Sequence, residues 1–308
     1  MHLISTLLFN HSKRQTALST LPTLPALRYA AVAAIACVFS SAAPTFAQTT
    51  VTNDKKSEGP WTASVGLFAV TMPEYEGAKR RVSSALPDFN LSYRSDDWGT
   101  FGVGSKSRGI SWTVIDKEQY SLGFTIGSST VRTEKNGTAF RPGSKRLQGM
   151  GEIKAAEEYG VFGHVVAGIP IKLQIMKGTG DAKPDAKNFS IKGHNGTYAQ
   201  LGTEIPCSIT TDVSLSFSAG LNWADKNYTQ TYFGVTSAQA ARTRFKQFTT
   251  EGGIKSVELG VALNYKIDKN WSAVTNLTYS QLRGDAAKSP VTEKKSQPMA
   301  AIGVNYTF

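Results

Sequence analysis

The last eleven residues, Pro298-Met-Ala-Ala-Ile-Gly-Val-Asn-Tyr-Thr-Phe308, constrain this chain more than any other stretch. Ala300, Ile302, Val304, Tyr306 and Phe308 fall on one face of a strand, and Met299, Ala301, Gly303, Asn305 and Thr307 on the other. A period of two is the spacing at which successive side chains point to opposite faces of an extended segment. Such a strand can edge a soluble sandwich or close a barrel. The rest of the chain has to choose.

No run of eighteen apolar residues occurs, which excludes a helical membrane protein. Residues 1–29 carry Lys13, Arg14 and Arg28 and no acid, residues 30–43 are apolar and small, and Thr45-Phe46-Ala47 offers a small-residue cleavage site. This is the anatomy of a secretory signal. The sequence therefore predicts a signal peptide over 1–47, a flexible periplasmic lead over 48–60, and a folded body over 61–308. Cys37 lies in the apolar run, but Ala34-Ile35-Ala36 before it match a lipoprotein signal poorly. Cys207 is then the one mature cysteine, so no disulfide framework exists and stability must come from a large core or a closed sheet. The net charge is +11, or +8 without the three leader cations. For an exported chain that excess argues against nucleic acid and for an anionic lipid or glycan surface.

Between residues 61 and 308 the alternation recurs. Val213, Leu215, Phe217, Ala219, Leu221 and Trp223 oppose Ser214, Ser216, Ser218, Gly220 and Asn222. Val257, Leu259, Val261, Leu263, Tyr265 and Ile267 oppose Ser256, Glu258, Gly260, Ala262 and Asn264. A sixth strand is expected over 149–158 and a seventh over 161–175, with a turn at Glu158-Tyr159-Gly160. Pro170 inside the seventh is a defect of that reading, since proline cannot donate to a ladder. Short and long connections alternate along the chain. With an even number of strands near ten residues each, the pattern predicts an all-β fold, a transmembrane antiparallel up-and-down barrel of about twelve strands (ten to fourteen). Gly303, Tyr306 and Phe308 are similar to the insertion signal of outer-membrane barrels, which makes the barrel-assembly machinery an expected partner during biogenesis.

Candidate sites follow from the faces. Asp88, Arg94, Glu152, Lys154, His164, Lys172, Glu204, Glu258 and Lys266 are expected to face the lumen, pairing across a filled interior or lining a pore; strand number leaves both open. The basic loop 132–148 presents Arg132, Lys135, Arg141, Lys145 and Arg146 as candidate lipopolysaccharide contacts, because such cations make charge-assisted bonds to phosphate. The mature histidines are His164 and His194. No nucleophile elbow and no Cys/His spacing accompany them, so neither an enzyme, a metal nor a cofactor is expected.

Three segments carry a more specific signal. They are Pro73-Glu74-Tyr75-Glu76-Gly77, Thr231-Tyr232-Phe233-Gly234-Val235 with Ser237 and Ala238, and Leu282-Arg283-Gly284-Asp285 with Ser289-Pro290. On these the chain resembles the MipA/OmpV family of MltA-interacting outer-membrane proteins, from about Gly59 to Phe308. The resemblance implies a non-enzymatic scaffold in the outer membrane that links a murein synthase to the lytic transglycosylase MltA. It supplies no catalytic residue or cofactor. The topology strains against that role, because residues 48–60 and five tight turns are a thin surface beside the roughly 800 Å² per partner of a usual specific interface. A small-solute channel, or a ligand-binding, antibiotic-binding or adhesive surface barrel, is the alternative.

Overall fold

The computed structural model describes residues 59–105, 109–138, 140–181, 184–185 and 187–308. The expected signal peptide, and all of the expected lead but Gly59 and Pro60, lie outside these residues.

Twelve strands close into one antiparallel barrel. In chain order they are β1 (Trp61–Pro73), β2 (Arg81–Ser95), β3 (Gly99–Gly104), β4 (Gly109–Asp116), β5 (Tyr120–Ser128), β7 (Glu157–Ala167), β8 (Ile169–Gly178), β10 (Thr197–Ser208), β11 (Val213–Asp225), β12 (Gly252–Lys266), β13 (Trp271–Leu282) and β14 (Ser296–Thr307). Two further short strands, β6 (Ile153–Lys154) and β9 (Ile191–Lys192), pair in parallel outside the barrel wall. Each barrel strand pairs with its neighbours in sequence, and β14 returns to β1. Closure leaves no edge, and an open edge in hydrocarbon would strand backbone groups at several kcal/mol each.

The side chains are sorted opposite to those of a soluble protein. Leu67, Phe124, Leu173, Phe217, Leu259, Leu277 and Ile302 are exposed on the outer wall. Ser64, Gln200, Ser216, Asn222, Ser256, Asn264 and Asn305 are buried on the inner one. Lipid, not water, is the solvent such a surface fits. The longer connections lie at one end, and the tight turns and the described chain ends at the other. Aromatic pairs gather at the turn end: Trp61 with Tyr93 at 4.8 Å between ring centroids, Trp271 with Tyr306 at 5.0 Å, and Tyr306 with Phe308 at 4.9 Å. Amphipathic rings settle at this level of a bilayer.

Phe308 seals the wall. Register runs from Ser64 opposite Thr307 to Thr71 opposite Ala300, and the Phe308 N–H donates to the Ala63 carbonyl at 3.0 Å. On the other side the Thr307 N–H donates to Asn270 O and the Asn270 amide returns a bond to Thr307 O. Gly303 lets the inner wall close here: a Cβ on it would lie 2.3 Å from Leu67 O and 2.6 Å from the Phe68 ring.

One hairpin differs from expectation. The chain does not turn at Glu158-Tyr159-Gly160, which lies inside β7; it turns at Gly168, whose φ of +78° favours glycine. Pro170 then sits two residues past the turn, opposite Val166 where the ladder begins, and the defect disappears. Gly160 misled because it looks like a turn residue. Its role is close packing, for a Cβ there would meet Ile175 O at 2.1 Å. Residues 149–156 consequently lie outside the barrel wall, with only Ile153–Lys154 (β6) in strand. Glu152 and Lys154, expected on the lumen face, belong to the outer loop layer instead.

Candidate functional site: the loop layer over the barrel mouth

The connection after β11 contains two helices, α1 (Lys226–Phe233) and α2 (Ser237–Ala240). Asp225 caps the first by accepting the Tyr228 N–H, and Thr236 with Gln239 forms a capping box on the second. A third, α3 (Gly284–Lys288), opens the connection between β13 and β14. These helices carry apolar residues inward over the mouth. Phe233, Tyr228, Tyr232 and Ala286 pack with Ile153 of β6 and with Met176, Tyr198, Ala224 and Leu282, which point inward from the outer ends of four wall strands. Tyr75, Ala78, Leu147, Met150, Val235, Phe245 and Val291 form a second buried cluster, from loops alone. The loops therefore have a hydrophobic core of their own.

The three signature segments, far apart in sequence, meet in that core. Pro73 ends β1, and the Tyr75 hydroxyl donates to Val291 O at 2.9 Å. Gly77 (φ +99°) receives the N–H groups of Glu293 and Lys294 on its carbonyl and gives its own N–H to Gln297. Glu76 pairs with Lys255 at 2.8 Å. The Ser289 hydroxyl, beside Pro290, donates to Phe233 O at 2.5 Å, while Gly234 ends α1 by donating to Gln230 O. Val235 exchanges both backbone bonds with Phe248, and Asp285 accepts the Glu251 N–H. Their signal in the sequence is thus the interlock of three loops.

Beneath the loops the lumen is lined by polar pairs. Lys172 meets Glu204 at 2.6 Å, Asp88 accepts from Asn90, and Gln200, Asn222 and Ser256 form a chain of bonds. Glu258 is buried on the same face, with one carboxylate oxygen unpartnered among the described residues. Arg94 pairs with Asp116 at 2.7 Å near the turn end, and Lys266 ends β12 at the same level. His164 Nδ1 lies 2.6 Å from Ser121 Oγ, its directly opposed residue across β5 and β7. Among the described residues nothing bonds Nε2 to orient the ring as a catalytic base requires.

Of the basic loop, Lys135, Arg141 and Lys145 are exposed, but Arg132 is not. Arg132 is 6 % exposed and its Nη1 donates to Tyr232 O at 2.6 Å, so this end of the guanidinium serves the loop core and does not stand on the outer surface with the other cations. Burial pushes its guanidinium down to about 10. Arg146 is half-buried, 3.4 Å from Glu293 and 5.2 Å above the Phe245 ring. Burial, with Glu293 beside it, pushes Tyr75 up to about 12, and burial likewise holds Tyr232 well above its ordinary range.

Sequence reasoning missed one group altogether. His194, fully buried, accepts the Gly196 N–H on Nδ1 and therefore donates from Nε2 to Glu158 Oε1 at 2.7 Å; Tyr198 donates to the other oxygen. His194 sits in a stretch rich in lysine and glycine that reads as a solvated loop. Only the capping patterns at Asp225 and Thr236 could have announced the folded layer above the mouth.

The family model described as MltA-interacting protein MipA matches residues 65–308. Outer membrane protein Omp26La of Vibrio anguillarum is 24 % identical over 251 residues, covering 82 % of this chain and 88 % of that one. Outer membrane protein OmpV of Vibrio cholerae is 25 % identical over 254 residues, with the same coverage. The MltA-interacting protein of Escherichia coli is 24 % identical over 90 residues, covering 29 % of this chain and 36 % of that one. The barrel and these relatives together place the chain in the outer membrane.

Proposed function

We propose, for a chain that belongs to the MltA-interacting protein MipA family, that it is a non-catalytic outer-membrane barrel whose work is recognition at its loop-built outer face. One observation carries this reading: three signature loops interlock into a buried core over the mouth, anchored on inward residues of the wall. A pore needs no such core, whereas a rigid layer holds its outward side chains in fixed places for a partner. Among the exposed cations of that layer, Lys135, Arg141 and Lys145 suit lipopolysaccharide phosphates. Purified, heat-modifiable protein should give no sustained porin-like conductance in planar bilayers. Steady open channels would overturn the proposal.

A second reading has the name of the family behind it. Its matched relatives include proteins called MltA-interacting, which supports a scaffold tying a murein synthase and a lytic transglycosylase to the inner side of the outer membrane. The described periplasmic surface consists of turns, from the single residue Gly168 to the four-residue turns 209–212 and 267–270. Residues 48–60 would then have to supply the remaining contacts. Mild crosslinking and pull-down should recover a murein hydrolase or synthase from the full chain and lose it when 48–60 are replaced by a glycine–serine segment. Equal recovery from both, or from neither, sinks this reading.

A further inference from the structure

Two adjoining recesses open in the loop layer. The smaller, about 170 Å³, is walled by Arg132, Glu152, Phe189, Asn195, Gln230 and Gln239. The larger, about 530 Å³, is lined by Lys145, Arg146, Arg242 and Arg244 against a single acid, Glu134. They share a border. Gly149 lines one while Met150 and Gly151 line the other, and the Arg242 guanidinium lies 4.2 Å over the Phe189 ring.

The smaller recess has groups that the fold leaves unused. Among the described residues nothing bonds Arg132 Nε or Asn195 Oδ1, both buried: one charged donor and one acceptor on residues that line this recess. Buried polar groups are ordinarily satisfied, and each unsatisfied one lowers stability. Phe189 adds to this as the one non-glycine residue with positive φ among the described residues, at +59°. Strain of that kind gathers at ligand sites. Two glutamines of the lining are committed to building the wall. Gln239 bonds Met150 O and Thr236 N, and Gln230 accepts from Thr250 N.

From these groups we infer one continuous site for a phosphorylated saccharide, with the sugar in the smaller recess and the phosphate in the cationic one. Sugar hydroxyls both donate and accept, and so complement a donor on Arg132 and an acceptor on Asn195, while Phe189 offers an apolar face. Phosphate in the larger recess meets Arg242, Arg244 and Lys145, whose charge-assisted bonds hold anions best where several converge. Arg146 is partly spoken for by Glu293. The assignment rests on the outer face being the recognition surface. Its ligand could be the headgroup of a lipopolysaccharide in the same leaflet or a free sugar phosphate.

Calorimetry on the full-length protein in detergent micelles tests it, with glucose 1-phosphate, glucose and inorganic phosphate as probes. Glucose 1-phosphate should bind, and the other two at least about tenfold more weakly, each lacking half of the contacts. The exposed double variant Arg242→Gln/Arg244→Gln should weaken the sugar phosphate by about tenfold or more while the barrel stays heat-modifiable. Asn195→Leu should bring sugar phosphate down to the affinity of phosphate alone. Competition by intact but not by dephosphorylated lipopolysaccharide identifies the headgroup as ligand; no competition identifies the free sugar phosphate. Absence of binding by both glucose 1-phosphate and lipopolysaccharide overturns the inference, as does phosphate binding as tightly as the sugar phosphate, or affinity indifferent to the double variant. Bilayer conductance is read independently, so a barrel that fails to bind yet stays closed refutes the site and leaves the recognition surface standing.

Discussion

Phe233→Ala should open the loop layer and leave the wall intact. The Phe233 side chain is fully buried against Tyr232, Leu282 and their neighbours. Truncating a buried phenylalanine to alanine costs about 3–5 kcal/mol, the transfer term plus the cavity left behind. At 1.4 kcal/mol per decade this shifts the equilibrium between closed and open layer by roughly 10²- to 4 × 10³-fold. Ser289→Ala removes only the hydroxyl that bonds Phe233 O, at about 1–3 kcal/mol, and should rank second. Hydrogen exchange reads both. The Val235 and Phe248 amides, paired with each other at 2.8 and 2.9 Å, should lose protection by about the stated factor. Amides of Leu259 and Leu277, in the wall, should not change, because ladder bonds there do not depend on the loops. If the wall amides lose protection in step, layer and barrel are one cooperative unit and the reasoning fails. If Val235 keeps its protection, Phe233 is not what holds the layer.

Deleting Tyr306–Phe308 should leave export across the inner membrane intact while lowering the amount of heat-modifiable barrel in the outer membrane; normal assembly would refute the sealing role of β14. Gly303→Val should act in the same direction, since even its Cβ would lie 2.3 Å from Leu67 O, and cell fractionation measures it. Tyr75, raised from 10.0 to about 12, and Tyr232, also raised, favour the folded layer in their neutral forms. That contribution is complete below pH 10 and is lost as pH rises through about 12. Exchange of the Val235 amide should therefore accelerate over this window in the native protein and less in Tyr75→Phe, which has no phenol to ionise at that position.

The barrel was legible because its rule is local. A strand crossing lipid alternates at period two, its connections alternate in length, and the closing strand carries its own signature; each is written along a few consecutive residues. The one hairpin misread, at Gly160 in place of Gly168, failed because a glycine that makes room for Ile175 looks the same in sequence as a glycine that turns. The loop layer was not legible. Tyr75, Phe233, Ser289 and Val291 lie up to 216 residues apart along the chain and have no periodicity in common, so only their contact gives them meaning. Arg132 is the sharpest case, a cation in a basic loop that reads as surface until Tyr232 is found against it. The sequence alone determined a closed barrel in an outer membrane, since lipid on one side dictates the pattern residue by residue. Whether the mouth stays open, and which loop charges face the outside, was decided in three dimensions, where long-range packing chooses which side chains water can reach.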